Sequence, residues 1–140
     1  MGIPEIFEGG KYSDERGTLI FNNNFNASEI KRMYCIENRD TKFIRGWTGH
    51  KIEQRWFSAL KGSFVISLIK IDNWDYPLKS LNVLKFNIDS DNLNILYVPG
   101  GYASAIQAKK ENSKLLVMAD YSLEEIQDDF RFPIDYFENL

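Results

Sequence analysis

Residues 45–62 read RGWTGHKIEQRWFSALKG. With its flanks, the stretch divides into two runs of strand formers, FIRGWTGH (43–50) and QRWFSALKGSFVISLIKI (54–71). The second is broken at Lys61-Gly62 by a tight turn. His50 is the single histidine of the chain, flanked by Arg45 and Arg55, with Trp47 and Trp56 beside them. Side chains repeat every two residues along a strand, so Thr48 and His50 are expected on one face. An imidazole between two guanidiniums combines a neutral-pH base with anion-binding groups. A functional site is expected here.

Working outward, similar runs recur. TLIFNNNF (18–25), IKRMYCI (30–36), LNVLKFNI (81–88), NILYVP (94–99), YASAIQA (102–108) and SKLLVMADYS (113–122) are apolar, alternating or rich in β-branched and aromatic residues. Between them lie turn signals: GGKYSDERG, three consecutive asparagines, NRDTK, DNWDYPLKS, DSDN, PGGY and KKENS. At least eight short strands at roughly 8–12-residue spacing predict an all-β sandwich or barrel. No repeat or low-complexity tract divides the 140 residues, so 1–140 is read as one domain. Ser28 is the expected cap of a short turn before IKRMYCI. Only residues 122–140 look helical, with SLEE resembling a capping box and Pro133 limiting any helix.

Composition narrows the class. Apolar content of 44% is ordinary, and no apolar run approaches the roughly 20 residues of a membrane span. MGIPEIFEGG lacks the basic start and apolar stretch of a signal peptide. A net charge of −3 argues against nucleic acid as a partner. One cysteine, Cys35, excludes an internal disulfide; in its strand-like context it is read as a buried thiol. The expectation is a cytoplasmic protein without a membrane partner.

Two separated stretches resemble the two motifs of the cupin superfamily. The first is Gly46, Thr48-Gly49-His50, Glu53 and Gly62; the second is Pro99-Gly100-Gly101-Tyr102-Ala103-Ser104. About 36 residues separate them, as in small cupins. The resemblance implies a jelly roll (double-stranded β-helix) with a short irregular or helical C-terminal segment. Metal-dependent cupins use three histidines and a glutamate, whereas Thr48 and Ser104 occupy two of those positions here. One imidazole and one carboxylate would hold a divalent metal poorly, so no metal is expected.

Within the superfamily the chain resembles the RmlC-like enzymes of nucleotide-linked 4-keto sugars. Asp14-Glu15-Arg16-Gly17 resembles the D-x-R-G of dTDP-4-dehydrorhamnose 3,5-epimerases. Arg45-Gly46 is similar to the R-G before their catalytic histidine, and Arg55 stands at their basic, substrate-holding position. Closer still are the dTDP-4-oxo-6-deoxyglucose 3,4-ketoisomerases (WxcM-like, FdtA group), with the signature I-K-R-V-Y…R-G-x-H-A-H-K. The chain reads Ile30-Lys31-Arg32-Met33-Tyr34 and Arg45-Gly46-Trp47-Thr48-Gly49-His50-Lys51, and the similarity runs from about residue 9 to 137. His50 matches the second histidine of that signature. Thr48 replaces the first, which is also the base position of the epimerases.

The resemblance implies a metal-free, cofactor-free isomerase or epimerase acting on a dTDP-linked 4-keto-6-deoxyhexose in deoxysugar or surface polysaccharide biosynthesis. A base removes the hydrogen beside the ketone and fixed donors stabilise the enolate. His50 is the candidate base, with Thr48 as hydroxyl donor and Tyr34 as donor or relay. Arg45 and Arg55 are candidates for carboxylate or diphosphate oxygens, and Tyr102 and Tyr121 for the barrel end. Trp47 and Trp56 read as core residues sooner than as base-stacking ones. Asp120 or the Asp128-Asp129 pair could orient His50; for the pair this requires the C-terminal segment to fold back onto the barrel. The alternative is a cupin that binds the sugar nucleotide without turnover, or a structural dimer partner of an active homologue. A homodimer through edge strands is expected.

Overall fold

The computed structural model of the chain describes residues 2–140, so Met1 of the expected domain lies outside the described residues. The strands are β1 (Glu5–Phe7), β2 (Gly10–Asp14), β3 (Gly17–Phe21), β4 (Arg32–Ile36), β5 (Ile44–His50) and β6 (Arg55–Lys61). They continue as β7 (Ser63–Lys70), β8 (Leu84–Asp89), β9 (Ile95–Val98), β10 (Tyr102–Ala108), β11 (Lys114–Ala119) and β12 (Phe130–Phe132). Two five-stranded antiparallel sheets form, ordered β1-β9-β6-β11-β4 and β12-β5-β10-β7-β8. The β2–β3 hairpin is a sheet of its own. This is the expected jelly roll.

Period-two alternation selects the side chains between the sheets. Phe57 and Ala59 from β6, Leu115 and Val117 from β11, Phe64, Ile66 and Leu68 from β7, and Ile106 and Ala108 from β10 form the central core. The opposite faces are covered as well. Trp47, Ile69, Ile71, Ala103 and Ala105 pack beneath Phe137 of the C-terminal segment, while Trp56, Ile95 and Met118 pack with Phe7, Phe25 and Ile30. Strands buried on both faces read as continuous apolar runs, which is why SFVISLIK hardly alternates. Both tryptophans are core residues. Trp47 packs edge-on to Phe137 with ring centres 5.3 Å apart, and Trp56 lies 5.5 Å from Tyr97.

Gly62 makes the β6–β7 turn at φ +74, and a Cβ there would meet the Ser113 hydroxyl. A second irregularity matters more for the site. β10 pairs Tyr102 with His50 and Ser104 with Thr48, but the next partners are Ile106 and Arg45. β5 therefore holds one extra residue opposite Ala105. Such a bulge reverses the side-chain parity beyond it, bringing Arg45 to the face of Thr48 and His50.

Three expectations are corrected. Residues 122–140 form no helix. The capping pair exists, since the Ser122 N–H donates to Glu125 Oε1 at 2.8 Å, but Glu124 adopts φ 64 and the segment runs on into β12, paired with β5. A left-handed residue stops helix propagation. Cys35 is exposed, because alternation in β4 turns Ile36 inward and Met33 and Cys35 outward. The cap of the turn at Ala27–Glu29 is Asn26, whose side chain accepts from the Ser28 N–H at 2.9 Å; Ser28 lies within the turn.

Candidate active site

An open cleft of about 1530 Å³ is lined by residues from both sheets. β5 brings Arg45, Thr48 and His50 to it, β4 brings Arg32 and Tyr34, β6 brings Arg55, and β10 brings Ser104. Part of the C-terminal segment, from Ser122 through Phe132, lines it too.

His50 is mostly buried, its side chain 12% exposed. Nδ1 lies 2.7 Å from the backbone carbonyl oxygen of Asp128. A carbonyl only accepts, so Nδ1 carries the hydrogen and Nε2 keeps its lone pair. Burial first, and then the Arg55 charge, lower the imidazole pKa; the Asp128 carbonyl, Glu53 and the Asp128 carboxylate oppose this in part. The ring is a neutral base at neutral pH.

The Asp128 carboxylate does something different. Oδ1 accepts from the Lys51 N–H, and Oδ2 accepts from those of Ile52 and Glu53, each at 2.8 Å. This buried carboxylate pins the turn after His50 while its own carbonyl holds the imidazole. Asp120 is engaged elsewhere, accepting from the backbone and side-chain amides of Gln54 at 2.8 and 2.9 Å. Asp129 is exposed and pairs with Arg131.

Arg55 is fixed from two sides. Nε donates to Glu53 Oε1 at 2.6 Å, Nη2 pairs with the same oxygen, and Nη1 donates to the Tyr34 hydroxyl at 2.5 Å. Glu53 also approaches His50 Nδ1 at 3.7 Å. Glu53 and Arg55 are two apart, and the buried ion pair between them holds the guanidinium in a set orientation. This arrangement places a neutral base, a rigid buried cation and several hydroxyls around one cleft.

The sequence matches the FdtA family, described as WxcM-like, C-terminal, over residues 4–138. The chain belongs to this family. No curated protein matches it in sequence. Among solved structures it is similar to a variant of the 3,4-ketoisomerase QdtA from Thermoanaerobacterium thermosaccharolyticum in complex with TDP-4-keto-6-deoxyglucose. The TM-score is 0.72 at 23% identity, covering 97% of this chain and 92% of that one. The WlaRB TDP-quinovose 3,4-ketoisomerase from Campylobacter jejuni gives 0.69 at 23% identity, covering 97% and 98%. A dTDP-4-dehydrorhamnose 3,5-epimerase from Bacillus anthracis, with TDP and PPi bound, gives 0.70 at 16% identity, covering 90% and 76%. These likenesses establish an RmlC-like jelly-roll fold.

In this FdtA-family chain the fold gathers most of the candidate residues and leaves one apart. His50, Thr48, Tyr34, Arg45 and Arg55 all line the cleft. Tyr102, 8% exposed, stands opposite His50 in the strand register and borders a small space beside it with Thr48, Arg55 and Ser104. Burial raises its phenol pKa, keeping it protonated. Tyr121 is not among the lining residues; it lies under Lys31, whose Nζ is 5.6 Å from its ring centre. Arg32, stacked 4.7 Å from the Tyr34 ring centre, is a lining residue that the sequence does not single out, and Ser104, noted in the sequence only at a metal-ligand position of the second motif, lines the cleft as a hydroxyl. Arg32 lay within the quoted I-K-R-M-Y signature, two residues from Tyr34 on the same strand face. Glu53, the carboxylate of the first cupin motif, is bound by Arg55, so with His50 it makes an unsuitable donor set for a divalent metal.

Proposed function

We propose that the chain is a sugar-nucleotide isomerase that moves the ketone of a dTDP-linked 4-keto-6-deoxyhexose between adjacent carbons by metal-free proton transfer. The observation that carries this reading is His50, a buried neutral imidazole with Nδ1 tied to a carbonyl and Nε2 left as the base, in a cleft shared with Arg55. Nε2 removes the hydrogen beside the ketone, and Arg55 stabilises the enediolate charge. Arg45 and Arg32 at the cleft are suited to diphosphate oxygens. Family membership and the 3,4-ketoisomerases among the structural neighbours favour ketone migration over epimerisation. The setting is deoxysugar or surface polysaccharide biosynthesis in the cytoplasm.

Thr48 and Ser104, at positions where the resemblance expects histidines, favour a second reading: a pocket that binds the sugar nucleotide without turnover. One experiment separates them. A dTDP-4-keto-6-deoxyhexose is incubated with the protein in deuterated water and followed by NMR. Deuterium incorporation beside the ketone that disappears in His50→Ala supports the isomerase. Tight TDP binding without exchange or product leaves only the binder.

The β2–β3 hairpin stands apart from both main sheets and exposes Tyr12, Leu19 and Ile20, which supports a homodimer. Sedimentation showing a stable monomer at micromolar concentration would refute it.

A further inference from the structure

Thr48 and Ser104 face each other across the β5–β10 pair, and both border the open cleft and the small space beside His50. Directly opposed residues of antiparallel strands have Cβ atoms about 5 Å apart, so the hydroxyls form a pair on the same face as the imidazole. Among the described residues, neither hydroxyl is committed to a side-chain or backbone hydrogen bond. Tyr102 and Arg55 complete the walls of the small space, and Glu53, already bound by Arg55, leaves His50 as the one uncommitted base there. Two hydroxyls that both donate and accept, left free beside a single imidazole, meet a need that the imidazole alone does not.

Ketone migration moves two protons. His50 Nε2 takes the proton from the carbon bearing the hydroxyl; that C–H pair becomes the C=C bond, and the carbonyl π pair goes to the former ketone oxygen. The neighbouring hydroxyl must then lose its proton and the former ketone oxygen must gain one. Finally the new oxyanion forms its C=O bond, and the C=C pair takes the proton back from imidazolium Nε2 onto the former ketone carbon. Atoms and electrons balance without an oxidant or reductant.

We infer that the Thr48 and Ser104 hydroxyls carry the oxygen-to-oxygen proton, accepting it from the sugar hydroxyl and giving one to the enediolate oxygen, while His50 alone moves the carbon-bound proton on one face of the sugar. This rests on the isomerase reading above and assigns the two hydroxyls a separate step. Replacing the expected histidines therefore leaves a site with one base and a hydroxyl relay.

The test uses the full chain carrying Thr48→Val and Ser104→Ala together, with the conservative pair Thr48→Ser and Ser104→Thr as a control, and TDP titration to verify the pocket. The relay predicts that the Val/Ala protein forms migrated ketone roughly 100-fold or more slowly, in the range for a lost acid–base group. It still exchanges the hydrogen beside the ketone with deuterated water, and the hydroxyl-retaining variants keep migration within about tenfold of the parent. Unchanged migration in the Val/Ala protein overturns the relay and leaves the isomerase standing. So does equal loss of exchange and migration with TDP binding intact, because the hydroxyls would then act at enolisation. If the Val/Ala protein fails to bind TDP, the hydroxyl-retaining pair decides: loss of migration there, with TDP bound, overturns the relay, and retention supports it. Absence of both exchange and migration in the parent protein overturns the isomerase reading itself and the relay with it.

Discussion

The imidazole Nδ1 of His50 lies 2.7 Å from the backbone carbonyl oxygen of Asp128, a residue 78 positions later in the chain. That hydrogen bond selects the tautomer of the one histidine, and the carboxylate of the same aspartate holds the three N–H groups that follow it. The C-terminal segment is thereby part of the candidate site.

The pH dependence follows from the imidazole. Proton removal needs the neutral ring, whose pKa burial and Arg55 hold below the usual 6.5. The acidic limb of log kcat/KM should therefore break below pH 6.5, with a flat region through neutrality. Arg55→Met removes a lowering charge and leaves the Glu53 carboxylate to raise the pKa, moving the limb to higher pH. A limb that stays in place in this variant would contradict the assignment. The same shift affects stability with a definite sign. Because the folded pKa is depressed, this contribution is complete above the unfolded value. It declines as pH falls, since the unfolded chain takes up a proton that the folded ring resists.

Asp128→Ala should destabilise the fold by about 3 kcal/mol, since backbone donors are left unsatisfied in a buried turn. In a thermal melt this lowers Tm by roughly 10 °C. Asp128→Asn keeps the backbone carbonyl and one acceptor oxygen but turns an NH2 toward at least one of the N–H groups held by the two carboxylate oxygens, and should cost about 2 kcal/mol, less than the alanine variant. A melt of Asp128→Ala that matched the parent within about 2 °C, against the size of effect expected here, would show that the turn does not depend on the carboxylate.

Arg55→Met strands the Glu53 carboxylate in a buried position and should cost about 3–5 kcal/mol in urea unfolding. Adding Glu53→Gln removes the stranded charge. The double variant should then be more stable than the sum of the single effects by about 1–3 kcal/mol. Strict additivity would mean that the two side chains are not coupled.

Gly62→Ala tests the turn that joins β6 to β7. The added Cβ would sit 2.0 Å from Ser113 Oγ at a backbone φ of +74. That hydroxyl accepts from the Ser63 N–H at 3.1 Å and donates to the Lys110 carbonyl at 2.8 Å. The combined strain and lost hydrogen bonding should cost about 2–3 kcal/mol. A chemical melt showing no loss would place the turn in another conformation.

The two runs from Phe43 to His50 and from Gln54 to Ile71 were legible as strands because their composition and the turn at Gly62 are local properties. The same holds for the alternation that puts Thr48 and His50 on one face. Cys35 was misread because a strand-rich context says that a residue lies in a sheet, while only its parity within β4 says which side it faces. Of the irregular and helical alternatives for the C-terminal segment, the structure takes the irregular one for a related reason. SLEE does make its capping hydrogen bond, but pairing of Phe130–Phe132 with β5 outweighs local helix preference.

Periodicity, turn chemistry and residue identity are carried along the chain, and so the all-β architecture, the single histidine and the pair of motifs around it are local properties of the sequence. The tertiary structure alone decided which groups act on that histidine. Arg45 joins the His50 face through a bulge opposite β10. Asp120, equally plausible as its partner by residue type, binds Gln54 instead, and Asp128 reaches His50 through its carbonyl rather than its carboxylate. Contacts across some 78 residues depend on how strands register and segments fold back, and short-range pattern does not encode that. The stretch from 45 to 62 thus supplies the imidazole, the buried cation and one hydroxyl of the cleft, while β10 and the returning C-terminal segment supply Ser104 and the hydrogen bond that sets the imidazole tautomer.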